Sequence, residues 1–533
     1  MRRAHAVVAV LTLSMVALPS CKGDQNAPGA QAGTDSTSTL PDTTCADPSK
    51  WNQLCSTIPH EVMVSLPGDY HGLAAETQTR FDSFSWQSFV ALNWPSDGAG
   101  NPLPGSFTDS PDAPRVWEGW TNASTLFYGD SGSAPCATQL RAAAAGGHRK
   151  VLMQMAKNGQ VINPHATFDE AVGGPLLDRN LNFALFEKVV SPDEAQYVRD
   201  SSLTTVAGQE AIDTVNFPPG FYADKKLMTG GRVGAMEVKA AWRILQPASG
   251  DDTTRYYHQQ ALIAVPAENS ATGQAFCISA MVGLVGLHII HKTQDFPAWV
   301  WSTFEHEDNA PTCPTGGSAC GDSTVRYSFY NMACTNCQVN TPLKDNTFLN
   351  DSSFIWNTSP PYGSRYATDS LYGSQITRVE TVYIPTDSMN TMWRAKIGSS
   401  SVWSHYRLIG SQWQATVPGP TPQISQAPPI LGNTALESYI PTTSDCIGCH
   451  TFATTAGTPS KFADFSFLLG MAGQQPTSMM APFFMQVPGA RRPGRPAPAV
   501  VVPDARRAAP AARPAPAPPA APPAAPPARP RRR

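Results

Sequence analysis

The chain has 533 residues, 41% of them hydrophobic, with twelve tryptophans and a formal net charge of -3. That length admits several domains, and the aromatic content requires a sizeable core, so a wholly disordered chain is excluded. From residue 487 onward there are ten arginines and one acid, Asp504. The remainder is therefore distinctly acidic and no nucleic-acid partner is expected.

The N-terminus reads as an export signal. Arg2 and Arg3 precede an apolar stretch, residues 6–18, that has signal-peptide length and is short for a membrane span. It ends in Leu18-Pro19-Ser20-Cys21, which resembles a bacterial lipobox. Residues 1–20 are then a lipoprotein signal peptide, and Cys21 is the lipidated first residue of the mature chain. The alternative is a plain secretory signal with a chance cysteine. Lys22 stands where inner-membrane retention usually has Asp, which favours the outer membrane, with the protein lipid-anchored and facing the periplasm of a Gram-negative-type bacterium. Residues 21–58 are expected to form the lipid anchor and a flexible tether, small, polar and rich in Pro and Gly through about residue 44.

Eleven cysteines are present. Setting aside Cys21, Cys446 and Cys449 leaves an even eight, which in an oxidising compartment implies disulfides. The short spacings Cys45/Cys55 and Cys313/Cys320 are natural pairs.

Residues 59–430 are expected to form an α+β body. Residues 82–92 carry a helical pattern. Ser191-Pro192-Asp193-Glu194 opens another helix with a capping-box pattern and proline at its first position. Strand patterns cover residues 235–245, 256–265, 275–290 and 376–384, with a weaker one at 402–413. A β-rich centre with flanking helices gives the α+β class. Residues 431–486 are expected to form a separate short helical segment, whose cysteine motif is read next. Residues 487–533, almost wholly Pro, Ala and Arg, cannot bury enough apolar surface to offset their ordering entropy and are expected to be disordered.

Cys446-Ile447-Gly448-Cys449-His450 has the spacing of a c-type haem attachment site. Each thiol can add to one haem vinyl group to form a thioether. Two intervening residues let one turn present both sulfurs, and His450 then supplies an imidazole nitrogen to the iron. On a helix, positions 446, 449 and 450 share a face. Gly448 is expected to leave room for the macrocycle. One covalent haem c is therefore the expected cofactor, bound by Cys446, Cys449 and His450.

The flanks strengthen this reading. Leu431, Asn433, Thr434, Glu437 and Tyr439, followed by Ser444, Cys446, Cys449 and His450, form a pattern that resembles the C-terminal end of a large group of bacterial cytochrome c-like envelope proteins, mostly uncharacterised. Residues 84–95, 237–243, 286–293 and 301–306 are similar to the same group. The resemblance spans roughly residues 80–470 and implies membership and haem, with little further mechanism.

The sixth iron position separates a closed electron carrier from a site open to peroxide, oxygen or small ligands. Met471 is the first distal candidate, at the end of the amphipathic-looking residues 462–471; its plain alternative is a core methionine. Met479, Met480, Met485, His288, His291, His306 and His405 are others. Residues 304–309 pack three acids and a histidine, as a metal site, a proton-transfer site or a structural turn. Cys334 and Cys337 form a second C-x-x-C with Gln338 where haem would need His, and structural disulfides are expected there. The function expected is electron transfer through one haem, to a periplasmic redox partner. A haem-dependent oxidoreductase or a haem-based sensing lipoprotein is the alternative, and enzyme status and small-molecule substrate stay open.

Overall fold

The computed structural model describes residues 53–63, 75–129, 136, 150–152, 175–265, 267–314, 320–342, 355–364, 372–417 and 423–474. The signal peptide, Cys21, the tether up to residue 52, Met479, Met480, Met485 and the Pro/Ala/Arg tail lie outside the described residues.

The architecture is mixed α+β. In chain order the principal elements are α1 (Ala75–Leu92), β1 (Thr121–Asn122), α2 (Ala123–Tyr128), β2 (Lys150–Leu152), β3 (Leu185–Val190), α3 (Pro192–Asp200), α4 (Val206–Ala211), β4 (Met236–Ile244), β5 (His258–Val265), β6 (Phe276–His291), β7 (Val300–His306), α5 (Ile384–Ile397), β8 (Tyr406–Val417), β9 (Gln423–Ala427) and α6 (Cys446–His450). Seven strands run β1-β3-β4-β6-β7-β8-β9, every neighbouring pair antiparallel. The first half of β6 pairs with β5, which in turn pairs in parallel with β2.

Register divides the sheet into two chemically different faces, because directly paired residues share a face and successive residues alternate. Val238, Ile289, Ser302 and Ser411 lie in one row across β4, β6, β7 and β8. This face receives α1 and α5. Ser85 bonds Ser302 and Ser411 at 2.7 and 2.6 Å, and the buried Asp82 accepts from Gln78, Thr386 and Ser411. Trp86, Phe89, Phe304, Trp393 and Trp403 form one apolar cluster here. The opposite face carries the rows Glu237, Ile290, Trp301, Gln412 and Lys188, Lys239, His288, Thr303, Gly410. Residues 431–450 lie on this second, more polar face.

Most predicted elements are found with modest boundary shifts. The helix expected at 82–92 extends back to Ala75. The helix after Ser191 begins as its sequence implies, with the Ser191 side chain accepting from Glu194 N. Three strand patterns become β4, β5 and β6, and the weaker one at 402–413 starts at Tyr406 as β8, after a 3-10 turn at Val402–His405. The pattern at 376–384 is not a strand. Residues 375–378 are all buried rather than alternating, and they make a single bridge, Thr312 with Arg378. Their polar side chains find individual partners instead of a ladder. From Ile384 the chain turns into α5, with Pro385 near its start, Asp387 in the first turn, Arg394 and Lys396 in the last, and Gly398 after it. Those end signals are readable in the sequence and outrank the local alternation.

Three disulfides join described residues: Cys136–Cys277, Cys313–Cys320 and Cys334–Cys337, with Cα separations of 5.1, 5.8 and 5.6 Å. The second and the closed C-x-x-C agree with the sequence reading. Cys55 is also disulfide-bonded; Cys45, its expected partner, lies outside the described residues. Among the described residues no helix is long and apolar enough to cross a membrane.

Chain entropy separates these crosslinks. Cys136–Cys277 joins residues 141 apart, and Cys334–Cys337 residues 3 apart. Loop closure assigns about 5 kcal/mol to the former and about 2 kcal/mol to the latter. Replacing Cys136 and Cys277 together by Ala should therefore lower Tm clearly more than replacing Cys334 and Cys337. Equal losses in non-reducing thermal melts would contradict the ordering.

Candidate haem-attachment site

The segment before the motif is fixed by one buried carboxylate, Glu305 on β7, which has no exposed surface. Arg378 pairs with it and also reaches the Gly432 carbonyl at 3.2 Å. Arg407 adds a bond at 3.0 Å, and Thr434 donates its N–H and its hydroxyl, at 3.0 and 2.7 Å. Asn433 continues the attachment, donating to Thr303 Oγ1 and the Phe304 carbonyl at 3.0 and 2.7 Å. A Cβ on Gly410 would meet Leu431 at 2.9 Å, so glycine is what allows residue 431 to lie on β8. Glu437 accepts from Asn433 N, and Tyr439 donates to the Pro175 carbonyl at 2.9 Å. Ser444 closes the segment by accepting from Leu431 N through its carbonyl and donating its hydroxyl to the Leu431 carbonyl. The flanking pattern read in the sequence is thus an attachment device that delivers the motif to the sheet.

The motif itself forms the one-turn helix α6. Asp445 is its N-cap, accepting from Gly448 N at 3.0 Å. A Cβ at 448 would stand 2.2 Å from the Asp445 carboxylate, so glycine at 448 makes room for the cap. Ile447 N donates to Gln412 Oε1 at 2.9 Å, and its side chain is buried with Val190, Ile290, Trp301, Leu469 and others. Ile447 thus points inward while Cys446, Cys449 and His450 stay partly accessible. Neither cysteine is in a disulfide. Burial pushes the Cys446 thiol well above its ordinary range, and Glu437, Asp445 and Cys449 act in the same direction. A thiol held protonated is ill suited to dithiol exchange, which needs the thiolate.

His450 is held in one usable tautomer. Its Nδ1 lies 2.7 Å from the Phe465 carbonyl oxygen, which can only accept, so Nδ1 carries the proton. Burial lowers the imidazole to about 4, against the opposing effects of that carbonyl and of Glu237, so the ring is neutral near pH 7. With Nδ1 protonated, Nε2 is the ring nitrogen that carries the lone pair, the tautomer of ordinary metal-ligating histidines. Trp301 and Phe467 flank the ring, with centroids at 4.4 and 4.9 Å.

Around this turn the sheet presents Glu237, Lys239 and His288. Glu437 faces His288, with Oε2 3.3 Å from Nε2. Glu237 interacts with Glu194, a fully buried carboxyl of α3; burial raises both, and their mutual repulsion adds to the rise at Glu194. Cys446, His450 and Glu237 keep part of their surface accessible. Phe452, Phe462 and Phe467 are 52, 46 and 36% exposed. Two thiols outside any disulfide, a neutral imidazole on the same turn and uncovered aromatic side chains in the same segment fit a c-type haem.

No family model, curated protein or solved structure matches the chain.

The other candidates separate clearly. His288 is on the same face as His450. His291 is on the opposite face, its Nε2 2.6 Å from the Val233 carbonyl. His306 and His405 belong to an ion-pair group in which Arg255 and Arg394 hold Glu307, Arg255 also holds Asp308, and His405 bonds Glu307 at 2.8 Å. Residues 304–309 are thus a strand end and a structural ion-pair turn. Among the described residues, no three His, Cys, Asp or Glu side chains are grouped to hold a metal ion. Met471 is 2% exposed, in the cluster that contains Ile447, and its carbonyl accepts from Tyr128. The amphipathic run expected at 462–471 is instead a bridge at Phe462 followed by a 3-10 helix, Phe467–Gln474. The sequence reading missed the roles of Glu305, Asp445, Trp301 and the Phe465 carbonyl. Of these only Asp445 had a local signal, an Asp immediately before a short helical turn.

Glu305 yields a stability prediction. Burial alone would raise its carboxyl, but Arg378, Arg407 and the Thr434 donors bring it down to about 2. A depressed carboxylate stabilises fully above its unfolded value near 4.5, and that contribution is lost as pH falls toward 2. Glu305→Ala should cost about 3–5 kcal/mol at neutral pH, since Arg378 is left buried without its partner. The difference from wild type should shrink on acidification. An unchanged melting curve for the variant at pH 7 would rule out this anchoring role.

Proposed function

We propose that this chain is a c-type haem protein of the cell envelope that transfers electrons through one haem, covalently attached at Cys446 and Cys449 and ligated by His450. The observation that carries the reading is the fixed His450 tautomer: Nδ1–H donates to a carbonyl, so Nε2 carries the lone pair, one residue after a pair of unoxidised cysteines on the same turn. A bound haem c supplies one-electron chemistry, or ligand activation if its sixth position is open. The chain's own residues orient the imidazole, hold both thiols on a capped turn, and cover one side of the site with Trp301 and the sheet. The motif and its flanks also support membership in the bacterial cytochrome c-like group. The lipobox-like residues before Cys21 support a lipid-anchored periplasmic protein, with the outer membrane favoured and a periplasmic redox partner.

A second reading, a haem-dependent oxidoreductase, is favoured by one feature. The sheet face that carries His450 also carries Glu237, Lys239 and His288, with Glu437 against it, more ionisable groups than simple electron transfer requires. The two readings differ at the sixth ligand, for which Met471 and His288 are the named candidates.

Expression of the full chain in a host that matures c-type haem, followed by oxidised and reduced spectra with and without carbon monoxide, tests both. Covalent haem is expected, and Cys446→Ala/Cys449→Ala should abolish it. Haem that stays covalent in that variant would place the attachment elsewhere. A reduced spectrum unmoved by carbon monoxide supports the carrier, and a shifted one the oxidoreductase. Wild-type protein without haem after such maturation would end the proposal.

A further inference from the structure

The backbone that meets the His450 ring is strained. Residues 463–466 make a turn closed by Ser466 N, which donates to the Ala463 carbonyl at 3.0 Å. Both central residues have positive φ, 52° at Asp464 and 69° at Phe465. Turns with two such residues favour Gly and Asn. Asp tolerates the left-handed region, whereas a bulky aromatic residue enters it only at a cost. Among the described residues no other two adjacent non-glycine residues share a positive φ.

Strain of this kind persists where the surroundings hold it, and here they are explicit. The Asp464 carboxylate is buried, pairs with Lys292 and accepts from Phe217 N at 2.8 Å. Lys292 is itself buried and donates to Asn216 Oδ1 at 2.7 Å. From the other side, Ala463 N donates to the Ala453 carbonyl at 2.9 Å, and Ala453 N to the His450 carbonyl at 3.0 Å. The turn is thus pinned to the end of β6 through Asp464 and to α6 through Ala463. What it delivers is the Phe465 carbonyl, 2.7 Å from His450 Nδ1. With residue 465 returned to negative φ, that carbonyl would move off the ring. Resting on the haem reading above, we infer that Asp464 is a positioning residue for the haem ligand. Clamped by Lys292 and Phe217 N, it holds the strained turn that keeps the Phe465 carbonyl on His450 Nδ1–H. Through that hydrogen bond it sets the donor strength of His450 and the reduction potential of the haem.

The test uses the haem-loaded full chain with isotope-labelled histidine. Asp464→Ala and Asp464→Asn remove the same charge, but Asn keeps an acceptor for Phe217 N and tolerates positive φ. Exchange of the His450 Nδ1 proton with deuterated solvent, followed by NMR, should be roughly tenfold faster in Asp464→Ala than in wild type and about threefold faster in Asp464→Asn, factors in the range of a lost and a weakened hydrogen bond. An imidazole without its Nδ1 acceptor is the weaker donor and favours ferric iron less. The potential of Asp464→Ala should therefore lie above that of Asp464→Asn by about 30 mV, the one-electron equivalent of the threefold difference between them. Wild-type exchange in Asp464→Ala would overturn the inference while leaving the haem reading intact. So would equal potentials in the two variants, which report charge alone. Wild-type chain that acquires no haem would overturn both. If Asp464→Ala fails to fold, Asp464→Asn carries the test by itself, and exchange at the wild-type rate in that variant would overturn the inference.

Discussion

The arrangement rests on a carboxylate with no access to water. Glu305 sits near the end of β7, fully buried, where an ionised group is tolerable only if every lone pair is satisfied and a cation is at hand. Two of its partners, Arg378 and Arg407, come from outside β7. The others, the Thr434 amide and hydroxyl, belong to the segment that leads to the haem motif. Leaving the sheet would cost that segment more than its own few contacts, because it would strand a charge. The electrostatic requirement of one strand residue thus becomes a positional constraint on a stretch about 130 residues further along the chain. Gly286 and Gly410 complete it sterically. A side chain at either would push against Asn433 and Leu436, or against Leu431, and hold the segment off the sheet.

The two faces of the sheet divide the work. On one, α1 and α5 bury tryptophans and phenylalanines, and the few polar groups, such as Asp82 and Ser85, have short bonds within the core. That face supplies apolar burial, the dominant favourable term in folding. The other tolerates Lys239, His288 and Glu437 at low exposure, at a cost in stability that the first face can carry. Buried ionisable groups gathered beside a cleft mark function more often than structure. Here they surround the only two described cysteines that are outside disulfides.

What the sequence revealed follows from the range of the interactions. Strand periodicity exposed β4, β5 and β6, and local end signals exposed α3, because each is decided by neighbours a few residues away. The C-x-x-C-H spacing on which the haem proposal rests is equally local, and the structure gives it as one capped turn. Residues 376–384 misled because their alternation is not one of burial: 376–378 are all buried, whereas Glu380, Tyr383 and Ile384 are exposed. Residues 304–309 drew attention as a charge cluster. That their charges serve structure depended on Arg255, Arg378, Arg394 and Arg407, none of which is near them in sequence. Gly448 was visible as a need, and the cap at Asp445 is one cause of it that only the structure shows.

Why one haem motif should stand at the end of so long a chain has a physical answer in its core. Ile447, Ala453, Ala463, Leu468, Leu469 and Met471 are buried, but they share a single cluster with Val190, Phe217, Ile290 and Trp301 from earlier elements. Asp464, between them, pairs with Lys292 just beyond β6 and accepts from Phe217 N at 2.8 Å. Residues 446–474 therefore bury their apolar groups in common with the sheet rather than around a centre of their own. Such a segment gains its order only when the body is already folded, since the contacts that offset its chain entropy belong to the body. In the proposed function this has a direct consequence. The Phe465 carbonyl that selects the His450 tautomer is positioned by the Asp464–Lys292 pair, so the iron-binding nitrogen is presented correctly only by the assembled protein. The large body is then part of the haem site and not an appendage to it.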